Sequence, residues 1–445
     1  MIGEALALKR WLSQSRLPAA GVQALRDRKL RAVIRHAYDN VPYYRALFRA
    51  AGLSPADIRT AGDLPRIPVT TKDDLRAAGV AAITAAGIDL AACAVLHTTG
   101  TTGAPFAIHL TRGELQARRL IEFRALLAIG FRPRDRLTVL GPMQPHAARL
   151  HQRLGFYRSV NISPALAPGD QIDQLKRSRP TILWAYPTVL RALLGRLDDR
   201  LDTVACPRVI VTSAEVCDDA LKARIQRGRS IPTFNFYAAN EVGRIAAECT
   251  AHEGLHVNED HVILECLRPD GAGGAGDRGE AVVTSLDARA QPFIRYRLGD
   301  GFGFTGKPCS CGSPFPLIGA PAGRPGDVVT LPSGNVLSLQ PLSFLLRSMN
   351  GLDQYRIVQE STEHLVVELV FRIDPGTGAL ARLRAGLIEA LGEPVGVDVR
   401  RVDALHDDAP KFRSFVSRLP VGSGAHRRSG GARAALESPA RGGLA

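Results

Sequence analysis

The sequence predicts an α/β protein, with a large N-terminal domain built on parallel strands and a small α+β unit behind it. Three observations carry that expectation. From about residue 91, strand-like runs alternate with helical ones, the pattern of parallel strands joined by crossover helices. Near 320–335 the chain turns rich in Gly and Pro, the composition of a junction. Beyond it, further strand-like runs flank one helical run, enough for a small separate unit.

The elements follow in chain order. Residues 21–40 place apolar Leu25, Leu30, Val33, Ile34 and Ala37 at helical spacing and end at Val41-Pro42-Tyr43-Tyr44. Within 51–90, a stretch of short helical patterns, Thr70-Thr71-Lys72-Asp73-Asp74 reads as a helix start. Residues 94–96 and 106–110 read as strands. Thr111-Arg112-Gly113-Glu114 fits a capping box opening a helix to about Ile129. Strand-like runs follow at 136–140, 182–185 and 209–212, and Pro187 suits the first turn of a helix running to Leu197. Residues 261–304 contain strands separated by a turn at 271–279. In the C-terminal unit, 355–358, 364–371 and 395–402 read as strands and 379–391 as a helix. From Val421 the tail is Gly, Ser and Arg with little to bury, and is expected to be disordered.

Bulk properties narrow the functional classes. With 445 residues the chain is long enough for two or three domains and a large core. No run of 18 apolar residues occurs, so no membrane-spanning helix is expected. Glu4, Lys9 and Arg10 break the apolar pattern of the first residues, which do not read as a signal peptide. Seven scattered cysteines, an odd number, do not make a disulfide framework, which points to a reducing cytoplasm. The net charge of +14 suits phosphate-rich partners. Arg is spread along the chain rather than gathered in one stripe, which disfavours a nucleic-acid binder.

Four segments carry candidate chemistry. The first is His97-Thr98-Thr99-Gly100-Thr101-Thr102-Gly103-Ala104-Pro105, where hydroxyls and backbone N–H groups in a Gly-rich turn are able to wrap phosphate oxygens. It is not a Walker A loop, since no Lys-Ser/Thr follows the second Gly. The second is Tyr237-Ala238-Ala239-Asn240-Glu241, an aromatic to stack on a purine and a carboxylate to hold Mg²⁺ against phosphate. The third, Phe293-Ile294-Arg295-Tyr296-Arg297-Leu298-Gly299-Asp300, ends in a carboxylate suited to two ribose hydroxyls. The fourth is Gly323-Arg324-Pro325-Gly326-Asp327, in the junction. Each alone also has a plain structural reading: a polar turn, a surface Tyr and Glu, a turn Asp, a linker.

In this order and spacing the four segments resemble the adenylate-forming superfamily of acyl-CoA synthetases, and within it the phenylacetate-coenzyme A ligase family. The stretch from Leu30 to Arg45 resembles that family's N-terminal helix, and Leu64-Pro65-Arg66-Ile67-Pro68-Val69-Thr70-Thr71-Lys72-Asp73-Asp74-Leu75-Arg76 its next landmark. The resemblance runs from about residue 25 to about 418. It implies a two-domain adenylate-forming enzyme: residues 1–322 binding ATP and the acid, a hinge at 323–327, a mobile lid at 328–420, and a basic tail at 421–445.

The resemblance implies residue roles. Thr98, Thr99, Gly100, Thr101, Thr102 and Gly103 would form the phosphate loop, and Ser213, Ala214 and Glu215 would border the adenine. Tyr237 would stack on adenine or line the acyl pocket, Glu241 would bind Mg²⁺, and Asp300 would hold the ribose hydroxyls with help from Arg324. Gly326-Asp327 would be the hinge, and Lys411 would bridge the carboxylate and the α-phosphate. The reaction implied is ATP-dependent activation of a carboxylic acid, aromatic or arylacetic, as its acyl-adenylate, followed by transfer to coenzyme A. An amine, hydroxyl or carrier-protein acceptor is an alternative. Three departures from the family pattern, Ala104, Gly326 and Pro410, motivate a further alternative, a non-catalytic member. Families of this kind are commonly dimeric.

A fifth constellation, Cys249 and His256 with Cys309 and Cys311, offers three thiols and an imidazole for a closed tetrahedral Zn²⁺ site. Its halves are far apart in sequence, so only folding joins them, and His252 and His261 compete as ligands. Similar sets in part of the family resemble structural zinc.

Overall fold

The fold is that of a computed structural model. The structure describes residues 2–97, 106–141, 150–163, 166, 168–215, 217, 219–227, 229–268, 278–321, 328–349, 351–371, 373–403, 405 and 415–419.

The predicted first helix is Ala19–Asn40. Its apolar residues at three- and four-residue spacing, Leu25, Leu30, Val33, Ile34 and Ala37, are all buried. Pro42 opens the next helix, Pro42–Ala50, where a missing N–H costs nothing. Tyr44 is fully buried on that helix, and its hydroxyl accepts from the Ile294 N–H at 3.0 Å. The expected helix start and the expected capping box both form. Thr71 and Asp74 close the start of the Lys72–Ala78 helix, and Thr111 and Glu114 that of Arg112–Ala128. Glu114 also accepts from the backbone N–H groups of Arg289 and Ala290, so this cap ties its helix to the approach of the third motif.

The central sheet has eight strands. In spatial order they are Leu317–Ile318, Leu255–Val257, Gly243–Glu248, Thr233–Ala239, Val209–Ser213, Ile182–Ala185, Arg136–Leu140 and Arg158–Ile162. From Thr233–Ala239 to Arg158–Ile162 all pairings are parallel, as the strand–helix alternation predicts. The other end is antiparallel, which the sequence reading did not anticipate. The connection after Ala239 is a tight turn, too short for the crossover that a parallel neighbour needs. Helices at Ile2–Gln14, Pro168–Ser178 and Asp219–Gln226 and the strand Arg158–Ile162 were likewise not anticipated.

A second sheet of three antiparallel strands, Val262–Leu267, Arg278–Ser285 and Tyr296–Gly303, packs its apolar face with the turn and hairpin of the large sheet. Thr70 bridges to it, donating its N–H to the Arg295 carbonyl and accepting from the Arg297 N–H, both at 2.9 Å. The buried Arg295 holds Glu265 and the carbonyls of Pro65 and Ile67. The two sequence landmarks thus form one unit. Beyond 328, four strands ordered Gly396–Arg401, His364–Phe371, Leu352–Ser361, Phe415–Ser417 and the helix Ala379–Leu391 surround a separate apolar core. That helix meets the first part of the chain where Arg196 donates to Glu389 at 3.0 and 3.3 Å. Among the described residues, no helix is long and apolar enough to cross a membrane.

Tyr44→Phe strands the buried Ile294 N–H without its acceptor. It is expected to lower unfolding free energy by about 1–3 kcal/mol, read as a lower denaturant midpoint with unchanged far-ultraviolet circular dichroism.

Candidate active site

Parallel α/β sheets place ligands beyond the carboxyl ends of their strands. There Val209–Ser213 runs into Ala214 and Glu215, and Thr233–Ala239 into Asn240 and Glu241. Ser213 is fixed by the Trp184 indole, which donates to its hydroxyl at 2.7 Å. Ala214 has φ +70°, a left-handed conformation that costs free energy for a residue with a Cβ and is found at functional turns. Burial, and then the nearby Glu215, pushes the Tyr186 phenol above its ordinary range.

The second and third motifs meet reciprocally. Tyr237 donates its hydroxyl to Asp300 at 2.7 Å, and Tyr296 donates its hydroxyl to Glu241 at 3.0 Å. Each motif therefore supplies the phenol that fixes the other's carboxylate. Glu241 is buried and Asp300 half-buried. Asn240 donates its side-chain amide to the His97 carbonyl at 3.1 Å, bringing the approach of the first motif to the same place. The arrangement holds two carboxylates at fixed positions beside a tyrosine ring, a set able to bind a divalent cation and a vicinal diol. Thr98, Thr99, Gly100, Thr101, Thr102, Gly103, Arg324 and Lys411 lie outside the described residues.

The fifth constellation also assembles. One ligand atom from each of Cys249, His256, Cys309 and Cys311 lies within 4.8 Å of all the others. The Cys249 and Cys309 sulfurs are 3.6 Å apart, and the Cys311 sulfur is 3.3 Å from His256 Nε2. Tetrahedral bonds of about 2.3 Å put neighbouring sulfurs about 3.8 Å apart, so the donors fit one cation between them. His256 Nδ1 lies 3.0 Å from the Phe315 carbonyl, a contact that directs Nε2 to the cluster. Burial holds the His256 imidazole below its ordinary range, hence neutral and able to coordinate. Burial and the neighbouring thiols push the Cys309 thiol up to about 12, a cost that a bound dication would offset. The competing histidines are engaged elsewhere: His261 contacts Asp287 and the Val242 carbonyl, and His252 stacks on Phe234. None of the seven cysteines is in a disulfide.

Sequence reasoning quoted Tyr296 but gave it no role. Alternation along a strand, which puts 296 and 300 on one face, is the signal that would have found it. Two clefts lie away from these motifs. One of about 320 Å³ is near Trp11 and Arg289, and one of about 730 Å³ is between Arg196 and Glu393. The convergence of chain motifs at the strand ends, not cleft volume, locates the candidate site.

The fold matches solved adenylate-forming ligases. The chain aligns with 2-hydroxyisobutyryl-CoA ligase in complex with 2-HIB-AMP and CoA in the thioesterification state at TM-score 0.65, with 21% identity, covering 91% of each chain. With the postadenylation state in complex with R3-HIB-AMP the TM-score is 0.63 at the same identity and coverage. No protein-family model matches the sequence. Among curated relatives, phenylacetate-coenzyme A ligase of Escherichia coli is 31% identical over 291 residues, covering 63% of this chain and 66% of its own length. That of Thermus thermophilus is 28% identical over 359 residues, covering 77% and 79%. The chain belongs to the phenylacetate-coenzyme A ligase family, as its motif order predicts.

The four-donor cluster predicts one tightly held divalent metal ion per chain by elemental analysis. Cys309→Ala is expected to lose it and to melt at a lower temperature. A wild-type chain without metal, melting like the variant, would reject the site.

Proposed function

We propose that this chain is an AMP-forming acid–thiol ligase that activates a carboxylic acid, aromatic or arylacetic, as its acyl-adenylate and transfers the acyl group to coenzyme A. The observation that carries the reading is the reciprocal bonding of Tyr237 with Asp300 and of Tyr296 with Glu241 at the sheet's carboxyl edge. Membership in a family whose curated relatives are phenylacetate-coenzyme A ligases supports the acid class and the acceptor.

In the first half-reaction an oxygen of the acid attacks the α-phosphorus of ATP. A P–O bond forms, the bond to pyrophosphate breaks, and pyrophosphate leaves. In the second, the coenzyme A thiolate attacks the acyl carbon, the C–S bond forms, and AMP leaves. The enzyme supplies no nucleophile; it positions the reactants and offsets charge. Asp300 accepts from the ribose hydroxyls, helped by Arg324. Tyr237 stacks on adenine or lines the acyl pocket, and Ser213, Ala214 and Glu215 border the base. Thr98, Thr99, Gly100, Thr101, Thr102 and Gly103 hold the phosphates. Glu241 would hold Mg²⁺, which would supply charge neutralisation at the phosphate oxygens. Lys411 bridges the carboxylate and the α-phosphate.

Residues 1–322 bind ATP and acid, 323–327 are the hinge, and 328–420 form a lid that reorients between half-reactions. Cys249, His256, Cys309 and Cys311 hold a structural Zn²⁺ that braces the antiparallel end of the large sheet and takes no part in the reaction. Seven cysteines with no disulfide among them support a cytoplasmic location, and a homodimer is the assembly the family resemblance suggests.

Pyrophosphate release from ATP and Mg²⁺, assayed with aryl, arylacetic and fatty acids with and without coenzyme A, tests the reading. Release is expected to require an aryl or arylacetic acid. It should fall by about 10²-fold or more in Lys411→Ala, the order of losing one charge-stabilising group. Release independent of any acid, or unchanged in the variant, would contradict it. Turnover without coenzyme A dependence would move the acceptor to an amine, hydroxyl or carrier thiol.

A further inference from the structure

We infer that Arg118, a residue outside every motif, is the positioning residue for the turn that carries Glu241. It projects from the Arg112–Ala128 helix, and its two terminal nitrogens donate to consecutive carbonyls, those of Asn240 at 2.7 Å and Glu241 at 2.5 Å. A guanidinium is suited to this task. Its fork is planar and always charged, whereas a lysine offers a single point. The turn is built to receive it. Gly243 has φ +84°, and a Cβ placed there would lie 3.2 Å from Arg118 Cγ and 3.3 Å from Cδ. The bare backbone lets the arginine stem lie flat against the chain.

The consequence reaches both ends of the candidate site. Glu241 is held at its backbone by Arg118 and at its carboxylate by Tyr296, so its oxygens have little freedom to move. Asn240, held by the other arm of the fork, reaches the carbonyl of His97, the residue before Thr98. One partly exposed side chain thus sets the spacing between the proposed magnesium carboxylate and the entry to the proposed phosphate loop. Arg118 touches no substrate itself; it acts through Asn240 and Glu241. The inference rests on the proposed role of Glu241 and extends it to a residue that no motif contains.

The test is a calorimetric titration of Mg·ATP into wild type, Arg118→Ala, Arg118→Lys and Glu241→Gln. Thermal melts and the Mg²⁺ dependence of pyrophosphate release are measured on the same samples. Arg118→Ala is expected to melt within a few degrees of wild type, because the side chain is partly exposed. It should bind Mg·ATP roughly tenfold more weakly and need roughly tenfold more Mg²⁺ for half-maximal rate, the usual cost of losing a group that orients a metal ligand. Arg118→Lys, which keeps the charge but not the fork, should fall between the two. Wild-type nucleotide affinity and Mg²⁺ dependence in Arg118→Ala would overturn the inference while leaving the proposed function intact. If Arg118→Ala melts far below wild type, Arg118→Lys decides. A stable lysine variant with weakened Mg²⁺ dependence supports positioning, and one indistinguishable from wild type overturns it. A wild type that binds no Mg·ATP, with Glu241→Gln no different, removes the reading itself and this inference with it.

Discussion

Two phenol–carboxylate hydrogen bonds set the geometry on which the candidate site depends. Tyr237 of the large sheet reaches Asp300 of the three-stranded sheet, and Tyr296 of the three-stranded sheet reaches Glu241 beyond the large one. Hydrogen bonds to ionised acceptors contribute roughly 1.5–3 kcal/mol each. Their value here is geometric as much as energetic. Because the donors and acceptors are exchanged between sheets, neither sheet can slide without breaking both bonds. Two carboxylates separated by 59 positions in sequence are thereby held as one pair.

The scaffold behind that pair explains why it stays in place. Thr70 pairs as an extra strand residue with 295–297, and Arg295 gathers Glu265 and two carbonyls from the 64–67 segment. Glu114 caps its helix and at the same time accepts from the backbone at 289–290. The N-terminal helices are thus more than a cover. One of their buried polar groups, the Tyr44 hydroxyl, ends at Ile294, just ahead of the strand that carries Tyr296 and Asp300. Most of these are buried groups satisfied by specific partners, so losing any one leaves a costly orphan.

Much of this was legible in the sequence. Apolar spacing marked the Ala19–Asn40 helix, the caps at Thr71 and Thr111 marked two helix starts, and strand–helix alternation marked the parallel part of the sheet. The order of the motifs was enough to identify the family. What the sequence did not disclose is pairing in space. Nothing local to Tyr296 says that its partner is Glu241, and nothing local to Arg118 says that its fork ends on 240–241. The antiparallel end of the large sheet escaped for a related reason. Its two outer strands hold only three and two residues, and the turn after Ala239, Asn240-Glu241-Val242, carries no Gly-rich hairpin signal. The Cys/His set was visible as residue types, but its choice of His256 over His252 and His261 is decided only by packing.

The central claim is that Asp300, Tyr237 and Glu241 form a nucleotide site. The most direct measurement is a crystal structure with AMP and Mg²⁺ bound. The account predicts the ribose hydroxyls within hydrogen-bond distance of Asp300, the base beside Ser213–Glu215, and the phosphate on the side of Glu241. A nucleotide bound elsewhere, with Asp300 and Glu241 bonded only to their tyrosines, would contradict it.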